Sequence, residues 1–309
     1  MRDEFARVVT ELARERADVC LLSGDIGNRM FDSFKEAAPG RFLNCGIAEA
    51  NMMSVAAGMG LNGMRPVVYT ITPFITTRCL EQVRIGVAYH RAPVVIVGTG
   101  SGLSYAELGP THHSLEDIAI MKALPGLNIL APCDKVELRE YLREAVDSGE
   151  PTYIRIGKKG EPILNVDNSG IGIGKASVLK GGTDVLLLVA GPIANEALTA
   201  TTRLEEMGIS VEVASIGSIR PLDEDYLKMA VSRFNCWMSL EEHYSNGGVG
   251  STILEWLNSN GHNEVSLKRL GVEEVFVHEL GSQAYVRNRF RLDSEGIVES
   301  ILEYSRSVI

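Results

Sequence analysis

This 309-residue sequence is short of most features that place a protein quickly. Its cysteines, Cys20, Cys45, Cys79, Cys133 and Cys236, are odd in number and show no CxxC pair or zinc-ligand spacing. That argues against a disulfide framework and for buried thiols in a reducing compartment. Basic residues are in the minority, 30 Lys and Arg against 40 Asp and Glu, for a net charge of −10. Nucleic-acid binding calls for a basic face, so that class is set aside. No apolar run nears the roughly 18 residues that cross a bilayer. The longest strong one, Val185–Ala190, halts at Gly191-Pro192. The opening Met1-Arg2-Asp3-Glu4-Phe5 lacks the basic-then-apolar order of a secretory signal. Short repeats and low-complexity tracts are missing too, which excludes solenoids. The expectation is a cytoplasmic protein with no membrane and no nucleic-acid partner.

What is present is a chain 45% hydrophobic and long enough for two domains with their own cores. Continuous apolar runs at 18–23, 66–70, 93–98, 127–131 and 151–156 read as buried strands. Helical stretches at 47–61, 75–90, 114–121 and 134–147 alternate with them. From 159 to 174 the composition turns to Gly, Pro, Asn, Asp and Ser, as in a linker. The alternation then restarts, with strands at 184–190, 209–215, 236–240 and 265–270 and helices at 195–207, 223–231, 250–259 and 294–305. This pattern predicts an α/β fold: two consecutive domains, 1–160 and 176–309 around a linker at 161–175, each a mostly parallel sheet flanked by helices.

Several segments could carry chemistry, and each has a plain alternative. Gly98, Gly100 and Gly102 follow a strand, but nothing after them starts a helix, so a dinucleotide turn is disfavoured. Gly24-Asp25 with Asn51 imitates a metal loop, yet Ile26 breaks it and Asn51 lies within a helical pattern; no metal site is assigned. Glu49 opens a helix of Met, Ala, Val and Gly. It is either a carboxylate stabilised by the helix N-terminus or one desolvated enough to pass a proton. Tyr69 to Arg78 crowds polar and aromatic residues, Phe74 among them, at a strand-to-helix junction, where open α/β sheets bind ligands. A Gly, Ser and Pro loop ends in His112-His113. Adjacent residues cannot share a face, so one of them as acid, base or hydrogen-bond donor is favoured over a metal pair. Glu241-Glu242-His243 before Gly247-Gly248 is either an anion site at a helix N-terminus or a tight turn with solvated acids.

In order, these pieces resemble the C-terminal part of transketolase-type, thiamin diphosphate-dependent enzymes, a pyrimidine-binding domain followed by a transketolase C-terminal domain. The matching residues are Ser23-Gly24-Asp25-Ile26, Gly46-Ile47-Ala48-Glu49, Phe74-Ile75 with Arg78 and Glu81-Gln82, and Gly109-Pro110-Thr111-His112. Arg155 to Lys158, Arg220-Pro221-Leu222-Asp223 and Glu241-Glu242 with Gly247 to Gly250 complete the set. The resemblance implies that Glu49 hydrogen-bonds the cofactor's aminopyrimidine and that Phe74 or Ile75 packs on that ring, with Arg78 beside it. Asp25 would lie near the thiazolium, His112 and His113 at the substrate's reacting end, and Lys158 at a substrate phosphate. Leu108 stands where such enzymes usually carry an aspartate that reads a sugar hydroxyl. The diphosphate- and Mg²⁺-binding domain has no counterpart here. The resemblance therefore implies the small subunit of a split transketolase, active with an N-terminal partner, in an α₂β₂ assembly, on a sugar or sugar-phosphate. The alternatives are a β subunit of a 2-oxo acid dehydrogenase E1 component, part of a deoxyxylulose-phosphate-synthase-like enzyme, or a non-catalytic regulatory subunit of the same fold.

Overall fold

The computed structural model describes residues 1–27, 29–165 and 170–308; the linker residues 166–169 lie outside the described residues. The first half runs α1 (Arg2–Glu15), β1 (Val19–Ser23), α2 (Asp32–Ala37), β2 (Phe42–Asn44), α3 (Glu49–Leu61), β3 (Arg65–Ile71) and α4 (Thr72–Ile75). It continues with β4 (Val95–Thr99), α5 (Asp117–Lys122), β5 (Asn128–Leu130), α6 (Lys135–Ser148) and β6 (Thr152–Ile156). The second half contains β7 (Ser177–Lys180), β8 (Val185–Ala190), α7 (Ala194–Glu206), β9 (Val211–Ser215), β10 (Ser218–Arg220), α8 (Glu224–Val231), β11 (Cys236–Tyr244), α9 (Val249–Ser259), β12 (Ser266–Val272), α10 (Gln283–Arg289) and α11 (Ser294–Val308). The α/β fold expected from the sequence is present, with two sheets flanked by helices.

The first sheet is ordered β10-β5-β6-β4-β3-β1-β2 and the second β12-β11-β8-β9-β7. All pairings are parallel except those of the edge strands β10 and β7. Strands β1, β4, β6 and β8 are buried along their whole length, as continuous apolar runs covered on both faces require. On one face of the first sheet α1 and α6 lay down Phe5, Val8, Leu12, Leu138 and Leu142. Each such side chain contributes about 1.5–3 kcal/mol by leaving water. On the other face α3 and the helix after β3 pack Met52, Met53, Ala56, Val83 and Val87.

One expectation needs correction. The single helix expected over 75–90 is three pieces: α4, a 3-10 turn at Thr77–Cys79, and a π-helix at Gln82–Tyr89. Pro73 sits in the first turn of α4, and the chain breaks at Thr76 (φ −101°, ψ −83°), whose hydroxyl donates back to the Thr72 carbonyl. The two halves also share a sheet edge. Strand β10, from the second half, pairs antiparallel with β5 at the edge of the first sheet. The segment expected as a linker is tied down as well: the amides of Leu164 and Asn165 donate to Asp134 Oδ2, and Ile173 N to Glu144. All five cysteines are free thiols, four buried and Cys45 half-buried. Among the described residues no helix is long and apolar enough to cross a membrane.

Candidate active site

The carboxyl ends of β1, β3, β4 and β6 meet at one edge of the first sheet, where parallel α/β sheets bind ligands. The connections leaving them carry Asp25, Phe74 and Arg78, His112, and Lys158. Glu49 arrives as the first residue of α3 and is only 2% exposed. Gly24 makes that approach possible, since a Cβ there would lie 3.1 Å from Thr70 Oγ1 and 3.4 Å from Glu49 Cγ. The Thr70 hydroxyl beside them is buried with no hydrogen-bond partner.

Of the two readings left open for Glu49, the structure shows the buried one, in unexpected company. Small apolar residues line α3, but the carboxylate meets a cation, Arg78 Nη1, at 3.0 Å from Oε2. The Arg78 guanidinium carbon stands 4.1 Å from the centre of the Phe74 ring, and the His112 ring meets Phe74 edge-on at 5.2 Å. Burial first, then the Arg78 charge, holds the His112 imidazole below its ordinary range. The Thr111 hydroxyl lies 2.9 Å from His112 Nδ1. Tyr105 packs 6.1 Å from His112 on another side and lies under the Lys158 ammonium at 4.6 Å. Lys158 is ion-paired with Glu107. Glu49, Arg78, Phe74, His112, Tyr105 and Lys158 thus form one continuous line of contacts.

Other expected site residues stand apart from this line. Ile75 is fully buried in the core under α3, so of the two neighbours only Phe74 meets Arg78 and His112 with its ring. His113 is 4% exposed and points inward, with neither ring nitrogen in a well-formed hydrogen bond. Burial is the main cause that lowers its titration, and the Ala106 carbonyl opposes it. Asp25 is exposed, in a left-handed turn (φ 55°), and accepts from Asn44 Nδ2 at 2.9 Å. Leu108 is 48% exposed at the rim. Tyr105, Glu107 and Thr70 were not anticipated; the one available signal was that a lysine at the mouth of a pocket needs a counter-ion.

Glu241 corrects both alternatives left open for its segment: it is buried rather than solvated, and its own oxygens accept from Val249 N and Gly250 N (2.7 and 2.9 Å). The first turn of α9 is capped from within, which removes the anion site. Glu242 accepts from Leu103 N, Gln283 and Arg287, and His243 Nε2 from Ala119 N at 3.4 Å. These residues fasten the second domain to the base of the loop that carries His112. Among the described residues no group of three or more His, Cys, Asp or Glu side chains could hold a metal ion.

Residues 1–161 match the family described as transketolase, pyrimidine binding domain, and residues 174–297 match transketolase, C-terminal domain. The chain belongs to the transketolase family. It is 34% identical to one subunit of the apulose-4-phosphate transketolase of Phocaeicola vulgatus, over 98% of this chain and 96% of that protein. It is 32% identical to the 1-deoxy-D-xylulose-5-phosphate synthase of Syntrophus aciditrophicus, over 98% of this chain but 47% of that one. Among solved structures, a split gene transketolase described as an inactive beta4 tetramer superposes with a TM-score of 0.89 at 28% identity, covering 100% of this chain and 98% of that one. The chain is thus of the transketolase C-terminal-subunit type, in a family that in general depends on thiamin diphosphate.

Proposed function

We propose that this chain is the C-terminal subunit of a two-subunit transketolase, which moves a two-carbon ketol unit from a ketose or ketose phosphate to an aldose. The observation that carries this reading is a carboxylate, 2% exposed at the start of a helix, joined through one guanidinium to a half-exposed aromatic ring with an imidazole edge-on beside it. An aminopyrimidine asks for that pair, a carboxylate for a ring nitrogen and a flat face for its plane, and Glu49 with Phe74 fits it. When bound, thiamin diphosphate supplies the electron sink that holds the two-carbon unit between donor and acceptor. Glu49 holds or releases a proton at the ring nitrogen. His112, whose charged form is disfavoured by burial and by the cation beside it, offers one nitrogen to the substrate's reacting oxygen, and Lys158 meets the far, phosphate-bearing end.

The diphosphate and Mg²⁺ would be held by an N-terminal subunit, since oxygen ligands suited to Mg²⁺ do not gather on this chain among the described residues. The surface next to Glu49 is suited to such a partner. Ile47 is 85% exposed, and α3 with the π-helix exposes Val55, Leu61, Ile85 and Tyr89, an apolar spread that monomers rarely leave uncovered. An α₂β₂ assembly would bury it.

The likeness to a 1-deoxy-D-xylulose-5-phosphate synthase over nearly all of this chain favours one second reading, transfer of a two-carbon unit that lacks the hydroxyl. Donor ketoses and their deoxy counterparts, assayed with the same partner subunit, separate the two by product. The test of the site is Glu49→Ala in the reconstituted pair. Ketol transfer should fall by roughly 10²–10⁴-fold, the usual share of a positioned acid–base group. Activity that survives this change removes Glu49 as the proton carrier.

A further inference from the structure

Arg78 makes two contacts, and both are ones the site would reserve for a ligand. Its guanidinium donates to Glu49 Oε2 at 3.0 Å and lies 4.1 Å from the centre of the Phe74 ring. Among the described residues it makes no other hydrogen bond or ion pair. A guanidinium is planar, carries N–H donors in its plane and stacks well on aromatic faces. An aminopyrimidine is planar too, and would make the same pair of contacts with the same two residues. Two flat groups cannot share one face of Phe74 and one carboxylate oxygen.

We propose that Arg78 is a plug for the cofactor pocket: its guanidinium stands in the place of the aminopyrimidine ring and swings out to solvent when the cofactor enters. This rests on the reading of Glu49 and Phe74 as an aminopyrimidine site. The local structure suits the movement. Arg78 sits on the 3-10 turn between α4 and the π-helix, and its side chain is 47% exposed against 2% for Glu49. The side chain can therefore leave by rotating about its own bonds while the core beneath, Ile75 and Cys79 included, stays in place. The plug keeps a buried carboxylate paired with a cation, and an unpaired buried charge is costly. It also makes His112 a reporter, because the Arg78 charge is one of the two causes that lower the imidazole's titration.

The test uses the chain assembled with its N-terminal subunit, titrated with thiamin diphosphate and Mg²⁺ by calorimetry, as wild type, Arg78→Gln and Arg78→Lys. A competing contact that must be vacated lowers apparent affinity by the fraction of time it is closed, so Arg78→Gln should tighten binding by roughly tenfold. Arg78→Lys should fall between, since an ammonium still pairs with Glu49 but has no plane to stack. Weaker or unchanged binding in Arg78→Gln overturns the plug and leaves the cofactor site standing, with weaker binding making Arg78 a ligand instead. No binding by any of the three overturns the aminopyrimidine reading and the plug with it. A second readout needs neither partner nor activity: in the NMR titration of His112 in the chain itself, the midpoint should rise in Arg78→Gln. An unmoved midpoint would mean that the guanidinium does not lie over the pocket, and would also overturn the plug.

Discussion

The seam between the domains and the edge that carries Glu49 use the same kinds of residue to opposite ends. At the seam two charged groups are saturated by backbone. Asp134 accepts from four amides, those of Val136, Glu137, Leu164 and Asn165. Arg220 donates to four carbonyls, those of Met121, Lys122, Leu124 and Leu127. At the site the charged groups meet side chains one to one, Glu49 with Arg78 and Lys158 with Glu107, and keep donors to spare. Saturation by backbone marks a structural charge, and unused hydrogen-bonding capacity marks one available to a ligand.

The largest expected effect follows from that contrast. Arg220→Ala uncovers four carbonyls at the end of α5 and under β10, and bonds from a charged donor are worth about 1.5–3 kcal/mol each before relaxation. Unfolding in urea should show a loss of about 3–4 kcal/mol, while Lys158→Met, at the partly exposed pair of the site, should cost less than about 1 kcal/mol. The reverse order would break the comparison. A next, slightly smaller effect concerns Glu137, fully buried at the seam, whose Oε2 accepts from Cys133 N and Ser215 Oγ while Oε1 has no partner. Burial, with Asp134 adding to it, pushes its carboxyl up from 4.5 to about 7. The fold then holds a proton that the unfolded chain releases, so stability is full below pH 4.5 and declines as pH rises to about 7. Urea midpoints at pH 5 and 8 should reveal this slope, worth roughly 2–3 kcal/mol, and Glu137→Gln should flatten it. A slope that persists in the variant assigns it to another group.

Apolar continuity made the parallel strands legible: β8, read as Val-Leu-Leu-Leu-Val-Ala, has no exposed residue. Short motifs in a fixed order made the line from Glu49 to His112 legible, because each falls at the end of a strand. The partners were not legible. Which cation meets Glu49, or that Glu107 answers Lys158 across 51 residues, is decided by how two loops fold over one edge, and a linear pattern carries no such distance. Edge strands were equally hidden. β10 is three residues long, and its Arg220-Pro221 sequence reads as a turn, yet the Arg220 side chain binds it to α5 from outside. α1 is different: Phe5, Val8, Val9 and Leu12 lie at helical spacing and are buried, so the helix is written in the sequence although it is absent from the expected elements.

The smallest effect gives the finest test of the contrast. Lys158 and Glu107 are partly exposed, with 29% and 48% of their side chains open to water, and the Lys158 contact is the main cause that lowers the Glu107 carboxyl. Pairs of this kind couple by about 0.2–1 kcal/mol, because water screens the charges and two flexible stems must be ordered. A double-mutant cycle with Lys158→Met and Glu107→Gln, read by urea unfolding, should therefore give about 0.5 kcal/mol. Raising ionic strength shortens the screening length from about 10 Å at 0.1 M to about 3 Å at 1 M, so the coupling should fade over that range. That outcome leaves Lys158 free to exchange Glu107 for the phosphate end of a substrate. A coupling above about 2 kcal/mol that ignores salt would place the pair with the saturated charges of the seam, and the substrate role of Lys158 would fall with it.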